Sequence, residues 1–324
     1  MIPLRDTVRS KNFPAVNALI IGLNILAFVW QLSQGPRLND VFFLYGIVPL
    51  RYSDPSVSVH FTTFQQLLPF VTSMFLHGGF FHILGNMWFL YIFGDNVEDS
   101  IGHVRYLLFY TLCGLTAGLI HLLTNWQSHV PTIGASGAIA GVMGGYLLLY
   151  PRARILTLIP IFFFFQLFEI PAYVFLGYWF LIQLFSGSLA PSDVGGVAWW
   201  AHVGGFVSGV IFVKILGAIP RTGLNEELRQ YTERQRTPRL LKISPRRLTE
   251  ELDAEGRIII SPREARSGTR KLISVPQGLR KRAIWVTIPP GVQAGARLRL
   301  RGLGRSDAEG NRGDLFLDVR VEHD

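Results

Sequence analysis

Six long apolar runs set the terms for this chain. They are Val16–Leu32, Phe75–Phe93, Tyr106–Leu123, Ser136–Tyr150, Ile155–Phe185 and Val197–Ile219. A helix needs about 20 mostly apolar residues to cross the ~30 Å hydrocarbon core of a bilayer. In lipid every backbone N–H and C=O must be satisfied inside the protein, so apolar runs of this length predict spanning helices. Charged residues make up only 16% of the chain against 49% apolar ones, and they are unevenly placed. Residues 1–220 hold 9 Lys/Arg and 8 Asp/Glu; the rest holds 22 and 14. An apolar bundle is therefore followed by a polar, basic segment of different physics.

The first run is too long for a signal-peptide core, and Gln31-Leu32-Ser33-Gln34 is a poor cleavage site, so it reads as a retained span. Amphipathic pieces at Val41–Pro49 and Phe61–Phe70 are expected to lie in the membrane interface, and Gly94–His103 is a polar stretch after the second run. Arg5, Arg9, Lys11, Arg105, Arg152, Arg154 and the basic tail fall on one side of a six-span topology. The positive-inside rule then places both termini in the cytoplasm. Lone Cys113 excludes an internal disulfide, and no metal-ligand spacing, cofactor motif or nucleic-acid motif is present.

Polar residues inside spans are costly and point to function. Ser136 opens the fourth run after Gly134-Ala135, where free N–H groups and the positive end of a helix favour an anion. At 1.5 Å per residue, Ser136 to Arg152 and His82 to Glu98 each measure about 24 Å, and His202 to Lys214 roughly 18 Å. All three polar groups reach similar depth towards the outer face, which predicts a water-filled pocket there. Gly137, Gly141 and Gly145 recur every four residues on the fourth run, and Ala201, Gly205 and Gly209 on the sixth. Small residues at that spacing let backbones approach, which would set Ser136 beside His202. His82 and Asn86, at i and i+4, share a helix face. The chemistry expected is a Ser136 nucleophile with His202 as base. His82, Asn86 and the Ser136 N–H would form an oxyanion hole. No carboxylate is placed to orient His202, so the reading is a dyad.

The motifs Gly134-Ala135-Ser136-Gly137, His77-x4-His82-x3-Asn86 and Ala201-His202-x2-Gly205-x3-Gly209 resemble those of the rhomboid proteases, in order, over Asn12–Ile219. The resemblance implies an intramembrane serine protease acting on transmembrane substrates, with Ser136 and His202 as dyad and His82 and Asn86 at the oxyanion. The family's Tyr one turn after the nucleophile is Ala140 here; Trp199, Trp200 and Phe206 are the candidates to support His202 instead. The Trp-Arg pair that some members carry in the first loop is also absent. An inactive rhomboid-like protein that binds transmembrane helices is the alternative, and retention of Ser136 and His202 argues against it. A transporter is disfavoured because the chain lacks an inverted repeat. Glu169 and Pro171 mark the fifth run: a carboxyl within the bundle and a kink in a candidate substrate gate.

Beyond a charged juxtamembrane linker at 223–256, residues 257–324 switch to a period of two, as in Leu298/Leu300 and Leu315/Leu317/Val319/Val321. This predicts a small antiparallel β-domain. Trp285–Val292, Gly295, Leu298–Gly302, Gly304 and Gly313–Leu315 resemble the C-terminal β-domain of the DnaJ chaperones. That resemblance implies peptide binding at a sheet edge. The expected whole is an α-helical membrane protein: a six-transmembrane rhomboid-like bundle at 1–222, then the linker, then a small cytoplasmic all-β domain. Its expected partners are transmembrane substrates, the lipid bilayer and a cytoplasmic peptide or protein. The expected location is a bacterial cytoplasmic membrane.

Overall fold

A computed structural model describes residues 1–8, 10–161, 164–189, 196–219, 223–232, 241–242, 246–247, 252–277, 280–305 and 312–321. Most of the expected loop before the sixth run, and 233–240, 243–245 and 248–251 of the expected linker, lie outside these residues. The chain divides into two compact units, Met1–Glu233 and Arg234–Asp324.

The first unit is built on helices α1 (Ala15–Leu32), α2 (Phe80–Ile101), α3 (His103–Thr124), α4 (Ser136–Leu149), α5 (Ala172–Leu189) and α6 (Trp199–Ala218). By length and composition α1, α3, α5 and α6 can each cross a membrane; α2 joins them when taken with the bent segment before it, and α4 is a shorter apolar helix. A last helix, α7 (Gly223–Thr232), belongs to this unit. Arg229 of α7 donates to the Asp99 carbonyl (3.0 Å), and Thr232 meets His103 (2.7 Å).

Polar residues at seven-residue spacing pin α1 to the bundle. Asn17 donates to the Leu90 carbonyl (3.1 Å) and accepts from the Tyr106 hydroxyl (2.7 Å). Asn24 bonds back to Ile20. Gln31 brackets the backbone of His77, accepting from its N–H (3.0 Å) and donating to its carbonyl (2.5 Å). Such amide bonds between helices hold best where no water competes.

The polar stretch Gly94–His103 is almost wholly helical. α2 continues to Ile101, and Gly102, at φ +91°, makes the turn into α3. The acidic residues there cap a neighbour: fully buried Glu98 accepts from the N–H groups of Val16 (2.9 Å) and Asn17 (2.7 Å) at the start of α1. A carboxylate at a helix N-terminus satisfies orphan donors and complements the dipole.

The fifth run also differs from expectation. It is not one interrupted helix. Arg154–Ile161 (β2) and Phe164–Pro171 (β3) form an antiparallel hairpin, β1 (Ile2–Asp6) adds to β2, and α5 begins only at Ala172. β-Branched and aromatic residues favour strands, and Pro160 would break a helix at that point. Pro171 therefore closes a strand and kinks nothing. Glu169 is on the surface, 55% exposed and 3.5 Å from Arg154. An exposed pair of this kind contributes at most about 1 kcal/mol.

The second unit holds two sheets, ordered β5-β6-β10-β9 and β4-β7-β8. The strands are β4 (Leu241–Lys242), β5 (Arg246–Arg247), β6 (Ala254–Ile260), β7 (Thr269–Gln277), β8 (Arg280–Ile288), β9 (Arg297–Leu300) and β10 (Leu315–Val321). The sheets are mixed rather than antiparallel throughout, because β10 runs parallel to β6 and β4 to β7. Alternate residues Ile258, Ile260, Ile273, Val275, Leu315 and Leu317 fill its core. Lys271 and Glu264, both buried, pair at 3.0 Å, and Lys271 also donates to the Ile259 carbonyl (2.7 Å).

Candidate active site

The seam between α4 and α6 is backbone against backbone. A Cβ on Gly205 would fall on the carbonyl of Gly137, and one on Gly209 on the carbonyl of Gly141. The third glycine of α4 at this seam is Gly144, whose Cβ would meet the Phe206 carbonyl; Gly145 turns to Phe109 of α3 instead. A 3.6-residue period returns to one face at seven residues, not eight. Gly137 and Gly141 also admit Ala117 and Cys113 of α3, so α4 is enclosed on two sides.

This seam sets His202 Nε2 2.7 Å from Ser136 Oγ. The other ring nitrogen, Nδ1, lies 2.8 Å from Oε1 of Gln183 on α5. An amide oxygen only accepts, so Nδ1 carries the proton and Nε2 is free to accept from the serine hydroxyl. Gln183 is itself buried and donates to the Trp179 carbonyl at 3.3 Å. The Trp179 ring lies over the imidazole, centroids 5.9 Å apart and planes 32° apart, and Trp199 meets it edge-on at 6.5 Å. Phe206 backs Trp179, while Trp200 lies beside Gly187. Of the three aromatics expected around His202, Trp199 touches it. The stacking partner comes from α5.

Opposite the serine, the Gly78 N–H donates to His82 Nδ1 (3.2 Å), which leaves the proton on Nε2. A Cβ on Gly134 would sit 2.9 Å from that Nε2 and 3.7 Å from Asn86 Nδ2. Gly134 has φ +128°, so both its backbone and its lack of a side chain are required. Asn86 Nδ2 is buried without a protein partner, a donor aimed into this space. His77 meets His82 edge-on at 5.1 Å and contributes its backbone, not its ring, to α1.

The loop before α4 is held where it enters the helix. The Gly134 N–H donates to the Ser73 carbonyl (2.8 Å), and Thr132 pairs with Ile47 in an isolated bridge. Buried Arg51 organises the first loop. It donates to carbonyls of Phe43, Leu44 and Gln65 and lies 4.2 Å from the Phe61 ring centroid. Short helices at Leu38–Tyr45 and Thr63–Leu67 flank it.

Gln183, Trp179 and Arg51 were not singled out for these contacts by sequence reasoning. For Gln183 a signal existed: it is the one amide in the apolar stretch Ala172–Phe185, and intramembrane polar groups are functional candidates by default.

Comparison with known proteins fits this geometry. Residues 65–219 match the Rhomboid domain model. This stretch is similar to the Rhomboid domain. Residues 254–324 match the DnaJ C terminal domain, so rhomboid and DnaJ-type β segments share one chain. Mitochondrial RHOMBOID-like protein 6 of Arabidopsis thaliana is 31% identical over 48% of this chain and 46% of its own. Mitochondrial Rhomboid protein 1 of Saccharomyces cerevisiae is 26% identical over 60% of this chain and 51% of its own. Chloroplastic Rhomboid-like protein 11 of Arabidopsis thaliana is 25% identical over 64% and 70%. The chain thus spans about half the length of the first two. The rhomboid domain and its apolar helices make this a membrane protein.

Proposed function

We propose that this chain is an intramembrane serine endopeptidase that cleaves transmembrane segments with a Ser136–His202 dyad. The single observation that carries the reading is the 2.7 Å approach of His202 Nε2 to Ser136 Oγ. Ser136 Oγ attacks the scissile carbonyl and gives its proton to Nε2, which returns it to the leaving amine. The oxyanion is received by the Ser136 N–H, His82 Nε2–H and Asn86 Nδ2, donors that await the developing charge. Gln183 holds the Nδ1–H tautomer from α5, the part an aspartate plays in a triad. Rhomboid proteins are generally intramembrane serine proteases, and some relatives are inactive; the complete set of donors and base supports activity here.

The Lys/Arg distribution supports both termini on the cytoplasmic side of the membrane. The β-unit would then act on a cytoplasmic peptide or protein at a sheet edge.

The test is covalent labelling of the purified full-length protein by a fluorophosphonate. Label should attach at Ser136, and Ser136→Ala and His202→Ala should each abolish labelling and cleavage of a transmembrane substrate while the helices stay folded. His82→Ala and Asn86→Ala should each slow cleavage about 10-fold to 1000-fold. Full activity in either dyad variant would refute the reading.

A further inference from the structure

The sheet β1-β2-β3 has no counterpart in the reaction just described, and its composition is odd for a surface element. From Ile155 to Phe168 the hairpin carries no charged side chain; Arg154 and Glu169 close its base. The register sorts its residues onto two faces. Ile155 and Thr157 on the inner face are fully buried. The outer face gathers Ile2, Leu158, Phe165 and Leu167, with Ile2 49%, Leu167 58% and Phe165 73% exposed. In water, such a contiguous apolar surface marks a contact site.

Three hydrogen bonds fix its height. At the base, the Asp6 carboxylate accepts from Asn96 Nδ2 (2.9 Å) and the Tyr146 hydroxyl (2.5 Å). Higher up, the Pro3 carbonyl accepts from Trp88 Nε1 (2.6 Å). Asn96 and Trp88 are eight residues apart on α2, about 12 Å of rise towards His82. β1 therefore climbs α2 into the depth of the bundle, and the hairpin climbs beside it. Open strand edges are not tolerated in hydrocarbon. Here the edge strand β1 packs on α2, and β3 leads directly into the apolar helix α5. The outer face also runs directly into α5, whose Tyr173, Tyr178, Leu181 and Phe185 are exposed along an uncharged helix.

We propose that this sheet is a membrane-inserted wedge whose outer face, Ile2, Leu158, Phe165 and Leu167, contacts acyl chains of the leaflet in which α2 ends. The occupant is lipid because the hairpin carries no charge from Ile155 to Phe168, its partner strand climbs α2, and its apolar surface continues that of a spanning helix. The wedge fills space beneath a short helix: α4 has 14 residues, about 21 Å of rise against a ~30 Å core.

The experiment is spin labelling of the full-length protein in phosphatidylcholine liposomes, in a Cys113→Ser background. Single cysteines replace Phe165, Leu167, Leu181 as lipid reference on α5, and Gln127 as reference in an exposed polar loop. Collision rates are read with oxygen, which partitions into lipid, and with a water-soluble nickel chelate. Labels at both Phe165 and Leu167 should give the high oxygen-to-nickel ratio of Leu181. A ratio matching Gln127 at either position overturns the proposal in favour of water. Low access to both reagents overturns it in favour of a protein cover. The readout is independent of proteolysis, so an inactive protein would still decide it.

Discussion

α6 and α5 both reach His202, and they are held in opposite ways. α6 meets α4 through glycines with no side chain between the backbones, whereas α5 stands with 22% of its apolar window buried against 44% for α6. The base thus hangs from the rigid helix, and its orienting groups, Gln183 and Trp179, hang from the loosely packed one. In the proposed dyad the Ser136–His202 distance would follow the α4–α6 seam, and the tautomer of the base the position of α5. Movement of α5 would release Nδ1 without separating the dyad.

The sharpest way to break this contrast is at the seam. Gly209→Leu should destabilise the bundle by about 3 kcal/mol, because a Cβ there strikes the Gly141 carbonyl and backbone cannot yield as a side chain can. Gly217→Leu, on the same helix with open space around it, should leave thermal unfolding in detergent within about 0.5 kcal/mol. Equal effects would mean that the seam is not the rigid element.

The next effect is at Gln183. Gln183→Met removes the acceptor but suits an apolar bundle; kcat should fall about 10-fold to 100-fold with KM unchanged. Gln183→Glu keeps an oxygen at the same reach and should restore most of the rate. A packing role would give the reverse order, methionine tolerated and glutamate not. Wild-type protein that never labels at Ser136 would instead count against the dyad itself.

Smaller still, Trp179→Leu should cost about 3-fold to 10-fold in kcat, since an aromatic contact of this kind is worth about 0.5–1.5 kcal/mol. Trp199→Leu, removing only the edge-on partner, should cost less. Matching losses would show that α5 has no special hold on the imidazole.

The smallest effect is in the β-unit, where side-chain contacts are exposed. Asp314 accepts from the Gly302 N–H (2.8 Å) and Arg299 Nε (2.5 Å), and these bonds hold its carboxyl below the ordinary value of 3.8. A depressed carboxyl adds stability above its unfolded pKa and loses it as pH falls through the folded one. Asp314→Asn should therefore weaken amide-exchange protection of β9 and β10 slightly at pH 7, and less at a pH well below 3.8. The same loss at both pH values would remove the charge from the account.

Sequence reading was good where lipid simplifies the rules. Runs of uncharged residues located the apolar helices, because a chain in hydrocarbon has few alternatives to helix. Glycine spacing pointed to the α4–α6 seam, and helix rise put Ser136, His82 and His202 at one level, where the structure brings them together. It failed at Ile155–Phe185, where apolar content is equally compatible with a helix or a hairpin. Pro160 was the overlooked residue, and Glu169 drew the weight that belonged to Gln183.

What the sequence by itself determined, then, is local: which stretches are apolar, where glycine permits close approach, which polar residues sit among lipid-soluble ones, and that the tail alternates with a period of two. Those follow from short-range periodicity and side-chain chemistry. Only the tertiary structure decided that Glu98 caps α1, that Gln183 faces Nδ1 of His202 and that β1 climbs α2 to meet a hairpin. Each joins residues 19 to about 150 positions apart, and hydrogen bonds of that range depend on how helices pack, which no single segment encodes.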